Sequence, residues 1–208
     1  MADVERHEFF PTCIYRFKHD FKENELNNVV KHIEDNSLSE QNGQVIKRTG
    51  SQTQNELHKI DTFANLTKTI INATKSILDE QGYMGEVEIT NMWGNILRPQ
   101  SQRAHAPHTH SNNFLSGVFY LKTSDDTSPI QFFDPRPQAS VLHPNLEYTT
   151  FDNSSMMQFD SQKGIGLIFP SWLQHWVPTT QKDRISISWN IILRGDYGQP
   201  NTLQNSSI

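Results

Sequence analysis

From Val87 to Arg194 the apolar residues fall in short runs separated by Gly, Pro, Asn, Asp and Ser. Such runs, with turn formers between them, read as strands, and so many in succession point to a barrel or sandwich that covers their apolar faces. Strands are expected at 86–97, 114–121, 129–133, 139–142, 146–151, 165–169, 174–177 and 184–193. In the last of these, Arg-Ile-Ser-Ile-Ser-Trp-Asn-Ile, alternation places Arg184, Ser186, Ser188 and Asn190 on one face and Ile185, Ile187, Trp189 and Ile191 on the other. An arginine on an inward face needs a partner, because an unpaired buried charge is very costly. A carboxylate ligand would satisfy it through two parallel hydrogen bonds, with a third from Ser186. The competing reading is a surface arginine beside solvent.

The first eighty residues are organised differently. Glu-Phe-Phe-Pro-Thr-Cys-Ile-Tyr-Arg-Phe, from Glu8 to Phe17, reads as a strand whose proline suits a sheet edge. From about Lys22 to Asn36, Leu26, Val29, Val30 and Ile33 recur at intervals of three and four, the stripe of an amphipathic helix. A second helix is expected at about 62–80, capped by Asp61, striped by Phe63, Leu66, Ile70, Ala73 and Ile77, and stopped by Gly82. Residues 37–60 are polar and without period, and read as a long surface loop with the makings of a lid. The whole is expected to be one domain over 1–208, mainly β with flanking helices (α+β). An N-terminal strand and helices occupy about 8–82, a β core about 86–194, and a loose tail 195–208, which is expected to fray.

Chemistry concentrates in His-Ala-Pro-His-Thr-His, residues 105–110. In extended backbone His108 and His110 point the same way, roughly 7 Å apart at Cα, so that both imidazoles can reach one transition-metal ion. His175 in Phe-Pro-Ser-Trp-Leu-Gln-His-Trp is the candidate third ligand. Asp134 in Phe-Phe-Asp-Pro-Arg is its rival, because non-heme iron sites use two histidines and a carboxylate, although Asp before Pro is also a turn former. His105 could be a further ligand or a group that supports one, but its odd spacing from both His108 and His110 favours the other strand face and the surface. His143, beside Pro144, reads as a turn residue. Trp172 and Trp176 flank His175 and read as packing groups that could keep a metal pocket dry.

Composition narrows the function classes. The net charge of −5 comes without a basic block, which argues against nucleic acid as a partner. A single cysteine, Cys13, excludes an internal disulfide, and neither a signal-peptide pattern at the N-terminus nor a membrane-length apolar run is present. These features lead us to expect a cytoplasmic protein without a membrane partner; the oligomeric state is open, a homodimer included. No phosphate loop, dinucleotide fingerprint or serine-nucleophile motif occurs.

Taken together, Trp93-Gly-Asn95, Pro-His-Thr-His-Ser-Asn with Leu-Ser-Gly-Val-Phe-Tyr-Leu, Phe-Asp-Pro-Arg, and Phe-Pro-Ser-Trp-Leu-Gln-His followed by the Arg184 strand resemble the Fe(II)- and 2-oxoglutarate-dependent oxygenases, in particular a group found in bacteria and phages. The resemblance covers about residues 91–193. It implies a double-stranded β-helix (jelly-roll, cupin-like) core, and a dioxygenase that takes Fe(II), 2-oxoglutarate and O2. Such an enzyme hydroxylates a C–H bond of a protein side chain, such as a prolyl, or of a small metabolite, and releases succinate and CO2. It implies that His108, His110 and His175 form the metal site, with His110 standing where the superfamily carries an acid. It further implies that Arg184 and Ser186 hold the far carboxylate of the co-substrate, with Tyr120 and Asn95 as helpers. The alternatives are a three-histidine cupin-type dioxygenase without 2-oxoglutarate, and a non-catalytic jelly-roll binding module.

Overall fold

Two long strands with both faces apolar or self-satisfied need cover on both sides, and the fold is arranged to provide it. The computed structural model describes residues 4–41, 44–47, 51–136, 141–142, 144–199 and 201–208. A five-stranded antiparallel sheet runs in the order β1 (Tyr15–Lys18), β9 (Ile165–Pro170), β6 (Leu115–Lys122), β11 (Arg184–Arg194) and β4 (Glu86–Leu97). A four-stranded antiparallel sheet runs β5 (His105–His108), β10 (His175–Val177), β7 (Ile130–Phe133) and β8 (Met156–Phe159). These are the two facing sheets expected of a double-stranded β-helix.

The alternation in β11 sorts the core. Ile185, Ile187, Trp189 and Ile191 join Ile89, Met92 and Ile96 of β4 and pack against α1 (Glu23–Asp35) and α2 (Ala64–Gln81) through Val29, Ile33, Leu66, Ile70 and Ile77. The opposite face carries Leu97, Val118, Tyr120, Leu167 and Phe169, which meet Ile130, Phe132, Leu173 and Val177 from the smaller sheet side. The helices therefore lie outside the large sheet, and the space between the sheets holds the polar face of β11. No helix among the described residues is long and apolar enough to cross a membrane.

Helix α2 ends as the sequence indicates, with Gly82 at φ 72° and the Tyr83 amide donating to Leu78 O at 2.9 Å. Its start differs. Asp61 makes no side-chain cap; Asp61–Phe63 form a 3-10 turn whose Asp61 carbonyl accepts the amide of Ala64, and the fully buried Phe63 pins that turn to the core. The N-terminal strand is likewise shorter than expected: only Tyr15–Lys18 pairs, at the sheet edge as anticipated, while Phe9 and Phe10 are exposed and Phe10 has φ 55°.

Three further expectations are corrected. Residues 37–60 are not a plain loop. They contain the hairpin β2 (Leu38–Gln41) and β3 (Gln44–Lys47), and residues 51–55 then run along β4, with bonds from Ile96 N to Ser51 O (2.7 Å), Thr53 N to Gly94 O (3.0 Å) and Met92 N to Asn55 O (2.9 Å). Residues 146–151 form no strand and lead instead into a turn, where the Thr150 amide donates to Asn153 Oδ1; the pairing strand is β8, whose Met-Met-Gln-Phe lacks β-branched residues. The tail does not fray, because β12 (Asp196–Tyr197) pairs with β13 (Ser206–Ser207) and the Tyr197 hydroxyl donates to Leu193 O at 2.6 Å. His143 and half of the expected strand at 139–142 lie outside the described residues, and Val141 and Leu142 are not in a strand.

Close packing gives one stability prediction. A Cβ at Gly117 in β6 would collide with the Trp189 ring and lie 2.7 Å from Leu167 O. Both neighbours are fixed, one by burial and the other by the ladder. Gly117→Ala is expected to cost about 3 kcal/mol, a fall in Tm of roughly 6–12 °C, read by thermal unfolding.

Candidate metal centre and the cavity beside it

His108 ends β5, and His175 begins β10 directly opposite it in the ladder. His110 lies beyond the strand, its amide donating to Ser171 O at 2.9 Å, so it is placed by the β10 approach and not by simple alternation. The three side chains nevertheless converge: one ligand atom from each lies within 4.8 Å of the others, and His110 Nε2 is 3.3 Å from His175 Nε2.

Two of the tautomers are settled by backbone carbonyls, which only accept. His108 Nδ1 donates to Ala106 O at 2.6 Å and His175 Nδ1 donates to Leu173 O at 2.9 Å, leaving both Nε2 lone pairs free to coordinate. An ion bound by imidazoles at about 2.1 Å needs nitrogens about 3–3.4 Å apart. The His110–His175 pair already meets that spacing, and small ring rotations bring in His108. The donor set therefore fits a single transition-metal ion. Phe169 and Phe132 stand 4.8 and 5.8 Å from the His175 ring, and Trp93 stands 6.1 Å from that of His110, so the surround is largely aromatic.

Burial, followed by the charge of neighbouring histidines, pushes His110 and His175 down to about 4. His105 is pushed to about 4 by burial, then by Arg184. These rings stay neutral in the folded protein, whereas in the unfolded chain they take up protons below about 6.5. The unfolded state thus binds more protons between roughly pH 6.5 and 4, and stability must fall as pH falls through that window. Denaturant midpoints of the metal-free protein are expected to be lower at pH 5 than at pH 7; equal midpoints would show that the histidines are protonated in the fold.

The cavity beside the triad measures about 340 Å³ and is lined by residues of both sheets, among them Asn95, His105, Arg184 and Ser188. Arg184 is 1% exposed. Its Nε donates to Ser161 Oγ at 3.2 Å, an Nη donates to Ser186 Oγ at 2.9 Å, and Cζ lies 5.0 Å from the centre of the Tyr120 ring. Among the described residues no carboxylate pairs with it, and burial pushes its pKa down against the opposing effect of Tyr120. The Tyr120 hydroxyl is itself buried. Ser161 and Arg184 lie near enough to oppose the upward push of burial on its pKa, but neither makes a hydrogen bond of proper geometry with it.

Asn95 sits in register with Ser186. Its Nδ2 donates to Ser188 Oγ at 3.0 Å, and its Oδ1 accepts from Trp93 Nε1 (3.1 Å) and Gln52 Nε2 (3.0 Å).

The four candidate anchors, Arg184, Ser186, Tyr120 and Asn95, thus lie on the large sheet facing the same interior as the triad. Asp134 does not. Its carboxylate is turned to Arg136, accepting from Nε at 3.0 Å and Nη2 at 2.8 Å, as a turn residue would. Trp172 is 58% exposed and packs nothing dry, contrary to expectation.

His105 is the largest departure. It is not at the surface but lines the cavity. The ladder pairs His175 with His108 and Val177 with His105, so three residue steps in β5 oppose two in β10. That extra residue is a bulge, and it returns His105 to the same face as His108. Pro107 inside the bulged step was the available signal, since a proline within a strand favours bulges and edges. Gln52 and Ser161 were also missed, and nothing in their local sequence marks them.

Residues 91–190 match the family described as Putative 2OG-Fe(II) oxygenase. That segment, 100 of the 208 residues, is similar to the 2OG-Fe(II) oxygenase family. The similarity is to a family of oxidoreductases that use Fe(II) and 2-oxoglutarate, and the histidine triad could hold the metal. Solved structures agree on the fold. The non-heme alpha ketoglutarate dependent epimerase SnoN from nogalamycin biosynthesis superposes with a TM-score of 0.61 at 10% identity, over 92% of this chain and 83% of that one. A Pseudomonas putida prolyl-4-hydroxylase gives 0.59 at 11%, over 88% and 94%. The viral collagen prolyl hydroxylase of Paramecium Bursaria Chlorella virus-1, solved as a 2OG complex, gives 0.53 at 11%, over 86% and 94%. No curated protein sequence matches this chain.

Proposed function

We propose that this protein is an oxygenase that hydroxylates a C–H bond of its substrate while 2-oxoglutarate is converted to succinate and CO2. The observation that carries this reading is Arg184, a buried guanidinium without an acidic partner among the described residues, opening on the cavity that adjoins three convergent histidines. A free guanidinium so placed is costly unless a carboxylate comes to it. A structural metal site or a three-histidine dioxygenase without 2-oxoglutarate leaves it unexplained.

On this reading His108, His110 and His175 hold Fe(II), and the ion supplies activation of O2. His108 and His175 are held in orientation by the carbonyls of Ala106 and Leu173. Three neutral imidazoles leave the centre one unit more positive than two imidazoles and a carboxylate would, which favours a dianionic co-substrate. Arg184 and Ser186 grip its far carboxylate, and Tyr120, whose hydroxyl is unpaired, donates to the same group. Asn95, fixed by Gln52, Trp93 and Ser188, forms the polar wall between that end and the metal.

Structures of this fold include prolyl hydroxylases and a small-molecule epimerase, which supports a protein prolyl side chain or a small metabolite as substrate. The test is turnover without added substrate. The Fe(II)-loaded protein should slowly convert 2-oxoglutarate to succinate in an O2-dependent reaction that EDTA stops and a matching peptide or metabolite accelerates. Absence of succinate from protein shown to contain Fe(II) and to bind 2-oxoglutarate would overturn the proposal.

A further inference from the structure

Once the triad and Arg184 are assigned, the cavity still contains one imidazole without a task. The β5 bulge turns His105 inward, its backbone is held opposite the buried Val177, and neither ring nitrogen makes a hydrogen bond among the described residues. Its strongest charge neighbour is Arg184, ahead of His108 and His175. It belongs to the small sheet, whereas Arg184, Ser186 and Tyr120 belong to the large one. The ring thus borders the space into which the guanidinium opens, from the opposite wall.

We propose that His105 is a co-substrate-binding residue that donates a hydrogen bond to the far carboxylate of 2-oxoglutarate, closing from the small sheet an anchor that Arg184, Ser186 and Tyr120 build from the large one. The inference rests on the role given to Arg184 above. A carboxylate has about four lone-pair sites, and the donors of the large sheet approach from one side. The remaining lone pairs face β5, where His105 is the ring that lies free. Its neutrality suits the task, because a lysine there would place a second desolvated cation beside Arg184. A neutral imidazole supplies one N–H without that repulsion.

The experiment compares 2-oxoglutarate with 2-oxovalerate, which has the same carbon chain but a methyl in place of the far carboxylate. Both are titrated into the anaerobic Fe(II)-loaded protein, and binding is followed by the visible charge-transfer absorption or by calorimetry. His105→Ala is expected to raise the Kd for 2-oxoglutarate about tenfold or more, and to leave those for Fe(II) and 2-oxovalerate within about twofold. His105→Asn, which retains an N–H donor, should recover most of the loss. If the alanine variant does not fold, His105→Phe fills the same space without a donor and should show the same selective loss. Equal loss for both acids, or none for 2-oxoglutarate, would overturn the role of His105 while leaving Arg184 in place. A wild-type protein that binds Fe(II) but prefers neither acid would overturn the Arg184 assignment, and this inference with it.

Discussion

Replacing His175 by alanine is expected to lower Fe(II) affinity by well over about 100-fold, because loss of groups merely supporting a metal ligand already costs 10–100-fold. The ring is 4% exposed, contributes a freed Nε2 to the triad, and stands opposite His108 at the centre of the small sheet. Among the described residues the only group of metal-ligating side chains that converges is His108, His110 and His175, and Asp134 is committed to Arg136. Succinate formation should fall to background. Metal content after gel filtration, with circular dichroism to confirm the fold, is the check. Retention of stoichiometric Fe(II) would remove His175 from the ligand set.

The second large effect concerns Arg184. Arg184→Ala is expected to weaken 2-oxoglutarate binding by about 2–5 kcal/mol, the cost of truncating one partner of a buried charge pair, with Fe(II) affinity unaltered. A companion variant separates function from packing. In the ligand-free protein the guanidinium is buried against two serine hydroxyls and a tyrosine ring, so its desolvation is poorly offset. Apolar replacement of buried ionic groups is often neutral or stabilising by about 1–4 kcal/mol. Arg184→Met is therefore expected to abolish co-substrate binding and to leave the ligand-free protein as stable as the wild type, or more so. A methionine variant that is strongly destabilised would mean that the arginine holds the fold together, with no need for a ligand.

The sequence was most informative where the physics is local or periodic. The stripes of α1 and α2, the αL glycine at 82, and the two-faced pattern of β11 each follow from one element and need no knowledge of its neighbours. The Arg184–Ser186 association was likewise legible, since it rests on strand alternation plus a chemical requirement, whereas His175 was a candidate only by residue type and resemblance, and its place opposite His108 comes from cross-strand pairing. What escaped depends on pairing across the chain. The bulge that turns His105 inward exists only because β5 meets β10 with one residue to spare, and β8 is a strand only because β7 lies beside it. Gln52 reaches Asn95 because residues 51–55 run along β4, which no polar stretch advertises. The tail closes through a two-residue pairing far too short to read from composition.

The most direct test of the account is an anaerobic titration of the metal-free protein with Fe(II) and then 2-oxoglutarate, with Arg184→Ala in parallel. A visible charge-transfer band that saturates at one equivalent of Fe(II) is expected in the wild type, and the variant should need far more 2-oxoglutarate to develop it. A wild-type protein that binds Fe(II) but develops no band with 2-oxoglutarate would contradict it.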